Sequence, residues 1–297
     1  MLKALGYMED ADEPQDLKGM DPKDGVEIFD AVIQGTVLVQ KGDWAGAIRT
    51  LTPVLDKLPG HNRARNAVAQ CEANLGNAEA AKSHYLKSLA HAPQQSDVLL
   101  QLARLELAQG RTEEARKRVE GALELLPDSV DAMLLMGYLD LQAGTSAKAT
   151  RWFNRAIAAD PTRPDAYLQQ GNLYFRQSMF EDALGWYEKG LAVAPQSYAG
   201  AMQAGLCAIQ LGNVGAADGY LLQAARAAPS RWQPLYSLGC VEVKKGDSGA
   251  ALSYLERATN AGFRDINQLQ ADPCLAPLAN KPRFQNIVRA IAAATQP

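Results

Sequence analysis

Chemistry-bearing side chains are scarce in this chain. Its cysteines are Cys71, Cys207, Cys240 and Cys274, and its histidines are His61, His84 and His91. No CxxC pair occurs and no histidine lies near a cysteine in sequence. The usual spacing of a zinc site is therefore missing, and no metal or cofactor is expected. A chain of 297 residues needs no disulfide framework. Apolar runs of the roughly 18 to 20 residues that span a membrane are absent. The opening MLKALGYMEDADEPQD turns acidic before an apolar signal core can form, so the chain as written is expected in the cytoplasm. Basic charge is not in excess: 30 Lys and Arg against 33 Asp and Glu give a net charge of -3. Nucleic acid, which is held by Lys and Arg on its phosphates, is not an expected partner.

Apolar side chains are plentiful, at 47% of the residues, and they are laid out on a fixed step. Pro59, Pro93, Pro127, Pro161, Pro195 and Pro229 each follow the last by 34 residues. Twelve residues before each stands Ala47, Ala81, Ala115, Ala149, Ala183 or Ala217, and Ala251 continues the row. Twelve further back, Gly35, Ala69, Ala103, Gly137, Gly171, Gly205 and Gly239 are all small. A seventh copy lacks its proline and carries Phe263 there. Leu51, Tyr85, Val119, Phe153, Tyr187, Leu221 and Leu255 lie four residues after each alanine, one helical turn along the same face. Gly42, Gly76, Gly110, Gly144, Gly212 and Gly246 stand where a first helix must end, and Ser178 takes that place in the fifth copy.

A 34-residue period with these signatures resembles the tetratricopeptide repeat, most clearly at Tyr167, Gly171, Tyr174, Ala183, Tyr187 and Pro195. The resemblance implies an all-α, right-handed α-α superhelix of seven antiparallel helix pairs closed by a C-terminal capping segment. The expected units are 28–61, 62–95, 96–129, 130–163, 164–197, 198–231 and 232–262, within a repeat region of 22–262. Residues 1–21 form an acidic linker, and Asp21-Pro22 reads as a helix start. Residues 263–297 form the cap. Its last helix should run from Pro282 to Ala294, with Phe284, Ile287, Val288 and Ile291 on one face. Such a cap is needed because an open end exposes core. The step differs from that of the 35-residue helical repeats that read RNA, and the basic excess those need is missing.

The N-terminus carries a second resemblance. LKALGY (Leu2 to Tyr7), an acidic spacer and Asp21 to Asp24 look like the junction of bacterial sulfatase-family proteins that bear a C-terminal tail of these repeats. That resemblance implies an accessory domain of a hydrolase, outside the cytoplasm if the hydrolase is exported. The family's nucleophile motif, Cys or Ser-x-Pro-x-Arg, does not occur here.

In the repeat family the first helix of each pair lines a concave groove. The corresponding positions of the first two copies are mostly polar: Val32, Thr36, Val39 and Gln40, then Arg63, Asn66, Gln70 and Asn74. Later copies offer Leu100, Arg104, Leu107, Leu134, Tyr138, Leu141, Leu168, Asn172, Phe175, Arg176, Met202, Leu206, Ile209 and Tyr236. One expectation is a peptide-binding groove oriented by Arg104, Asn172 and Arg176, in a protein–protein interaction scaffold without enzymatic activity. Another is that curvature buries these side chains between neighbouring helices. A third is that Met1 to Gly19 or a second copy of the chain covers them. A carboxylate clamp built on Lys and Asn four apart is not expected, since the equivalent pairs are Leu168/Asn172 and Asn66/Gln70. Trp152, Trp186, Tyr220 and Tyr254 are expected to pack on the second helices. Cys71 and Cys207 should be small core residues. Cys240 is expected to be more exposed than these, which makes it the candidate among the four for a reactive thiol, and His84 and His91 are expected to be solvated. Asp131 and Asp165 are copies of one repeat position, about 10 Å apart on adjacent helices, and are not an acid–base pair.

Overall fold

The computed structural model describes residues 22–295, so the acidic linker and Asp21 lie outside the described residues. Among the described residues there is no strand, and sixteen α-helices follow one another. First and second helices alternate: α1 (Pro22–Lys41) and α2 (Trp44–Lys57), α3 (Asn62–Asn74) and α4 (Ala78–His91), α5 (Ser96–Ala108) and α6 (Thr112–Leu125). They continue as α7 (Val130–Gln142) and α8 (Ser146–Ala159), α9 (Pro164–Arg176) and α10 (Phe180–Val193), α11 (Tyr198–Gln210) and α12 (Val214–Ala227), α13 (Gln233–Lys245) and α14 (Ser248–Asn260). The closing segment is α15 (Ile266–Ala271), a 3-10 turn (Pro273–Leu278) and α16 (Pro282–Thr295).

The described residues form two compact units, 22–132 and 133–295. In the first, α1, α2 and α3 share a core of Ile28, Val32, Leu51, Val54, Leu58, Ala64 and Val68. The next cluster joins Ala69, Ala81, Tyr85, Val98 and Leu102 from α3, α4 and α5. In the second unit, Phe153 packs with Ala149 and Leu173, and Tyr187 with Ala183, Leu191, Ala201 and Ala204.

The small-large pairing read from sequence has a steric cause. A Cβ added to Gly171 would come within 2.5 Å of the Tyr187 ring, and one on Gly205 within 2.8 Å of Leu221. Tyr187 and Leu221 thus lie over the small residue of their own copy while also lining a core shared with the next copy. Only a glycine or alanine lets the two backbones approach that closely. Ala47, Ala81, Ala115, Ala149, Ala183, Ala217 and Ala251 are all fully buried.

Turns are set by the residues the chain supplies. Gly144 takes φ 74° and Gly246 φ 86°, the left-handed conformation that ends a helix. Ser178 adopts φ 60° in the same place, against the steric preference of an L residue. Second helices start on side-chain caps where the sequence provides them: Asp43 accepts from the Gly46 amide at 2.9 Å, Asn213 from Ala216 at 3.1 Å and Asp247 from Ala250 at 2.8 Å.

Beyond the seventh pair the step persists although the signatures do not. The second helices start at Trp44, Ala78, Thr112, Ser146, Phe180, Val214 and Ser248, and α16 starts one equal step later at Pro282. The place of an eighth first helix is filled by α15 and the 3-10 turn, broken at Pro273 and Pro277, which cannot continue an α-helix. Phe263, Leu269, Leu275, Leu278, Phe284, Ile287 and Ile291 bury themselves against Leu235, Tyr236, Leu252 and Leu255 of α13 and α14.

Candidate functional site

The first helices of the first unit enclose a polar hollow. Its volume is about 430 Å³, and it is lined by Thr36 and Val39 of α1, Arg63, Asn66 and Gln70 of α3, and Asp97, Val98 and Gln101 of α5, with Tyr85 and Gln95 behind them. Thr36, Val39, Arg63, Asn66 and Gln70 are groove positions of the first two copies. A network fixes the floor: Asn66 Nδ2 donates to Gln95 Oε1 at 2.9 Å, and Gln95 Nε2 donates to the Ala92 carbonyl at 2.7 Å. Asn66 Oδ1 is buried without a partner. Burial, with Asp97 and Cys71 nearby, pushes the Tyr85 phenol up to about 12, so it stays a neutral donor. Arg63 and Asp97 are exposed at the edge. The wall therefore offers amide donors and acceptors, with a charge of each sign on the rim.

The apolar positions of the later copies are distributed differently. In the first unit Leu100 is 7% exposed and belongs to the core, Leu107 is half-buried and Arg104 is exposed. In the second unit Leu134 and Leu141 pack against the Phe153 cluster. Leu168, Phe175 and Met202 pack against the Tyr187 cluster, and Ile209 against the Leu221 cluster. Leu206 is half-buried and Arg176 exposed. Asn172 is engaged, its Oδ1 accepting from the Tyr187 hydroxyl at 2.8 Å. Tyr236 is buried and donates to Asp272 Oδ2 at 2.8 Å. Of this set Tyr138 is an openly exposed large hydrophobic, at 42%. Much of the apolar stripe is thus packed between neighbouring helices, and Leu100 and Tyr236 present little surface.

Other sequence expectations meet the structure unevenly. Cys71 and Cys207 are fully buried, and burial pushes the Cys207 thiol up to about 12. Trp152, Trp186 and Tyr254 lie on second helices with Arg155, Lys189 and Arg257 over their rings, at 4.7, 3.9 and 5.2 Å. Asp165 is bound by Arg163 at 2.6 Å.

Two expectations are corrected. His84 is half-buried, its Nδ1 has no partner, and burial with Arg65 and Lys87 nearby lowers its pKa, because α4 turns it inward. Cys240 is more exposed than Cys71 and Cys207, as expected, but it is not poised as a reactive thiolate. It lies half-buried against the closing segment, where burial and then Cys274 and Asp272 push it strongly up and away from the thiolate form.

Sequence reasoning missed what surrounds Cys240. One donor atom each from Cys240, Asp272 and Cys274 lie within 4.8 Å of one another. The signal was present: Cys274 follows Cys240 by one 34-residue step, which places the two side by side on consecutive first-helix positions.

Comparison with known proteins bears on the fold. The tetratricopeptide repeat profile matches residues 34–96, 100–164 and 168–231. No curated protein sequence matches the chain. Among solved structures, the chain is similar to the pilF protein of Pseudomonas aeruginosa (TM-score 0.59, 21% identity, covering 71% of this chain and 96% of that one). It is also similar to a tetratricopeptide repeat protein from Parabacteroides merdae (TM-score 0.61, 14% identity, 90% and 99%) and to yeast Tom70 (TM-score 0.65, 14% identity, 94% and 57%). At these identities the likeness is one of fold. It does not bear on the sulfatase-like junction, whose Leu2 to Tyr7 segment lies outside the described residues. No helix among the described residues is long and apolar enough to cross a membrane.

Proposed function

The chain belongs to the tetratricopeptide repeat family, and on that premise we propose that it is a non-enzymatic scaffold that holds an extended peptide segment of a protein partner in the hollow of its first unit. The hollow carries this reading. It is about 430 Å³ and walled by three successive first helices. Its lining supplies Asn66, Gln70, Gln95 and Gln101, which match the donors and acceptors of an extended backbone. Arg63 and Asp97 select a segment with an acidic and a basic side chain within a few residues of each other. The family's general role as a protein-interaction fold supports the same reading, although fold alone does not name a partner.

A second contact surface is proposed on the second unit. Tyr138 stands exposed there, with Gln142 donating to its hydroxyl at 3.0 Å. Leu134, Leu141, Leu168, Asn172, Phe175, Arg176, Met202, Leu206 and Ile209 would contribute the edges that their packing leaves uncovered.

The test is a screen of a random peptide library on the immobilised chain, followed by affinity measurement on two variants. Asn66→Ala with Gln70→Ala should weaken a selected peptide at least tenfold, since each buried hydrogen bond to an amide is worth about 1 kcal/mol. Tyr138→Ser should leave that peptide's affinity unchanged. Equal affinity of the Asn66/Gln70 variant and the parent would refute the hollow as the site.

A further inference from the structure

We propose that Cys240, Asp272 and Cys274 form a binding site for a thiophilic divalent cation, zinc in the first instance, that pins the closing segment to the seventh helix pair. The three side chains come from two elements: Cys240 from α13, and Asp272 and Cys274 from the start of the 3-10 turn. All three are half-buried, and one donor atom from each lies within 4.8 Å of the others. Cys240 Sγ is 3.9 Å from Asp272 Oδ2. In a tetrahedral zinc site with Zn–S near 2.3 Å and Zn–O near 2.0 Å, neighbouring ligand atoms lie about 3.5 to 3.8 Å apart, so a small inward movement completes the geometry. Two thiolates with one carboxylate are a soft donor set suited to zinc rather than to calcium or magnesium.

The carboxylate is already aimed. Asp272 Oδ1 accepts from the Cys274 amide at 2.9 Å, and Oδ2 accepts from the buried Tyr236 hydroxyl at 2.8 Å. Such outer contacts orient a metal ligand. Cys274 Sγ donates to the Cys240 carbonyl at 3.4 Å, which holds the second sulfur beside the first. On binding, two S–H bonds break and two Zn–S bonds form, the two protons pass to solvent, and no electron is transferred. Three protein ligands leave the fourth position to water.

The experiment uses the full chain, reduced and freed of metal, titrated with Co²⁺ without oxygen and then with Zn²⁺. The expected result is one cobalt per chain, seen as a thiolate-to-cobalt charge-transfer band with tetrahedral visible bands, all displaced by stoichiometric zinc. Cys240→Ser and Cys274→Ser should each abolish the charge-transfer band or cut it to a minor residue. Tyr236→Phe, which removes an outer contact only, should weaken zinc roughly tenfold. Because a cysteine variant can lose the fold of the cap, the parent chain provides a second reading: Zn²⁺ should slow maleimide modification of Cys240 and Cys274, mapped by peptide mass. Absence of the band in protein with four titratable thiols overturns the proposal. So does a band that survives both substitutions, equal modification with and without zinc, or a Cys240–Cys274 disulfide that occupies both sulfurs in the freshly reduced and desalted chain.

Discussion

In the seventh helix pair Gly239 lets Leu255 approach so closely that an added Cβ would meet it at 3.1 Å, and α13 runs unbroken to the left-handed Gly246. One step later the closing segment has Pro273 in place of Gly239 and no unbroken first helix. Yet α16 starts on the same 34-residue pitch as α14. The contrast separates two things that coincide in a perfect repeat. The pitch follows from loop length and from burying apolar side chains against the preceding pair, which Phe284, Ile287 and Ile291 achieve. The small-large signature is needed where a pair must pack on both flanks. The closing segment packs on the seventh pair through Phe263, Phe284 and Ile291, so there larger side chains stand in for the close helix crossing.

The comparison can be broken hardest at its aromatic anchors. Phe153 is fully buried between helices of the array, and Phe153→Ala should cost about 3 to 5 kcal/mol, read as a lower urea midpoint for the main unfolding transition. Phe284, 2% exposed, is as deeply buried, but at the end of the chain. Phe284→Ala should first raise amide hydrogen exchange across α16 and leave α9 to α12 protected. A global loss as large as that of Phe153→Ala would show that cap and array unfold as one body.

Glycine and proline sharpen it next. Gly171→Ala places a methyl against the Tyr187 ring and should cost about 1 to 3 kcal/mol. Pro273→Ala, at the equivalent place of the closing segment, is exposed and should stay within about 0.5 kcal/mol. The smallest effect is a gain. Ser178→Gly relieves φ 60° and should raise stability by about 1 kcal/mol, whereas the same change at a second-helix surface position should not. No gain at Ser178 would mean that its side chain compensates for the conformation.

Much of this architecture is legible in the chain because the physics is local and repeated. A glycine twelve residues before an alanine and a large residue four after it describe a close crossing wherever they occur, and six left-handed glycines appear where the helix ends require them. The surface is less legible. Leu100 and Tyr236 share a repeat position class with more accessible residues, but their burial depends on how neighbouring helices rotate against each other, which the pattern does not encode. The polar hollow, by contrast, lies at the groove positions of the opening copies. Apolar character at groove positions marks packing at least as often as binding. Cys240 and Cys274 form no local thiol motif, since they lie one 34-residue step apart and are brought together by stacking.

The constant interval between equivalent cuts has a consequence for the gene. Excising or duplicating the coding length of one unit, from any point to its counterpart, rejoins side chains that are used to such neighbours. The reading frame survives, and small residues still meet large ones at the same positions. Unequal crossing-over at equivalent points would therefore lengthen or shorten the array by whole 34-residue units in frame.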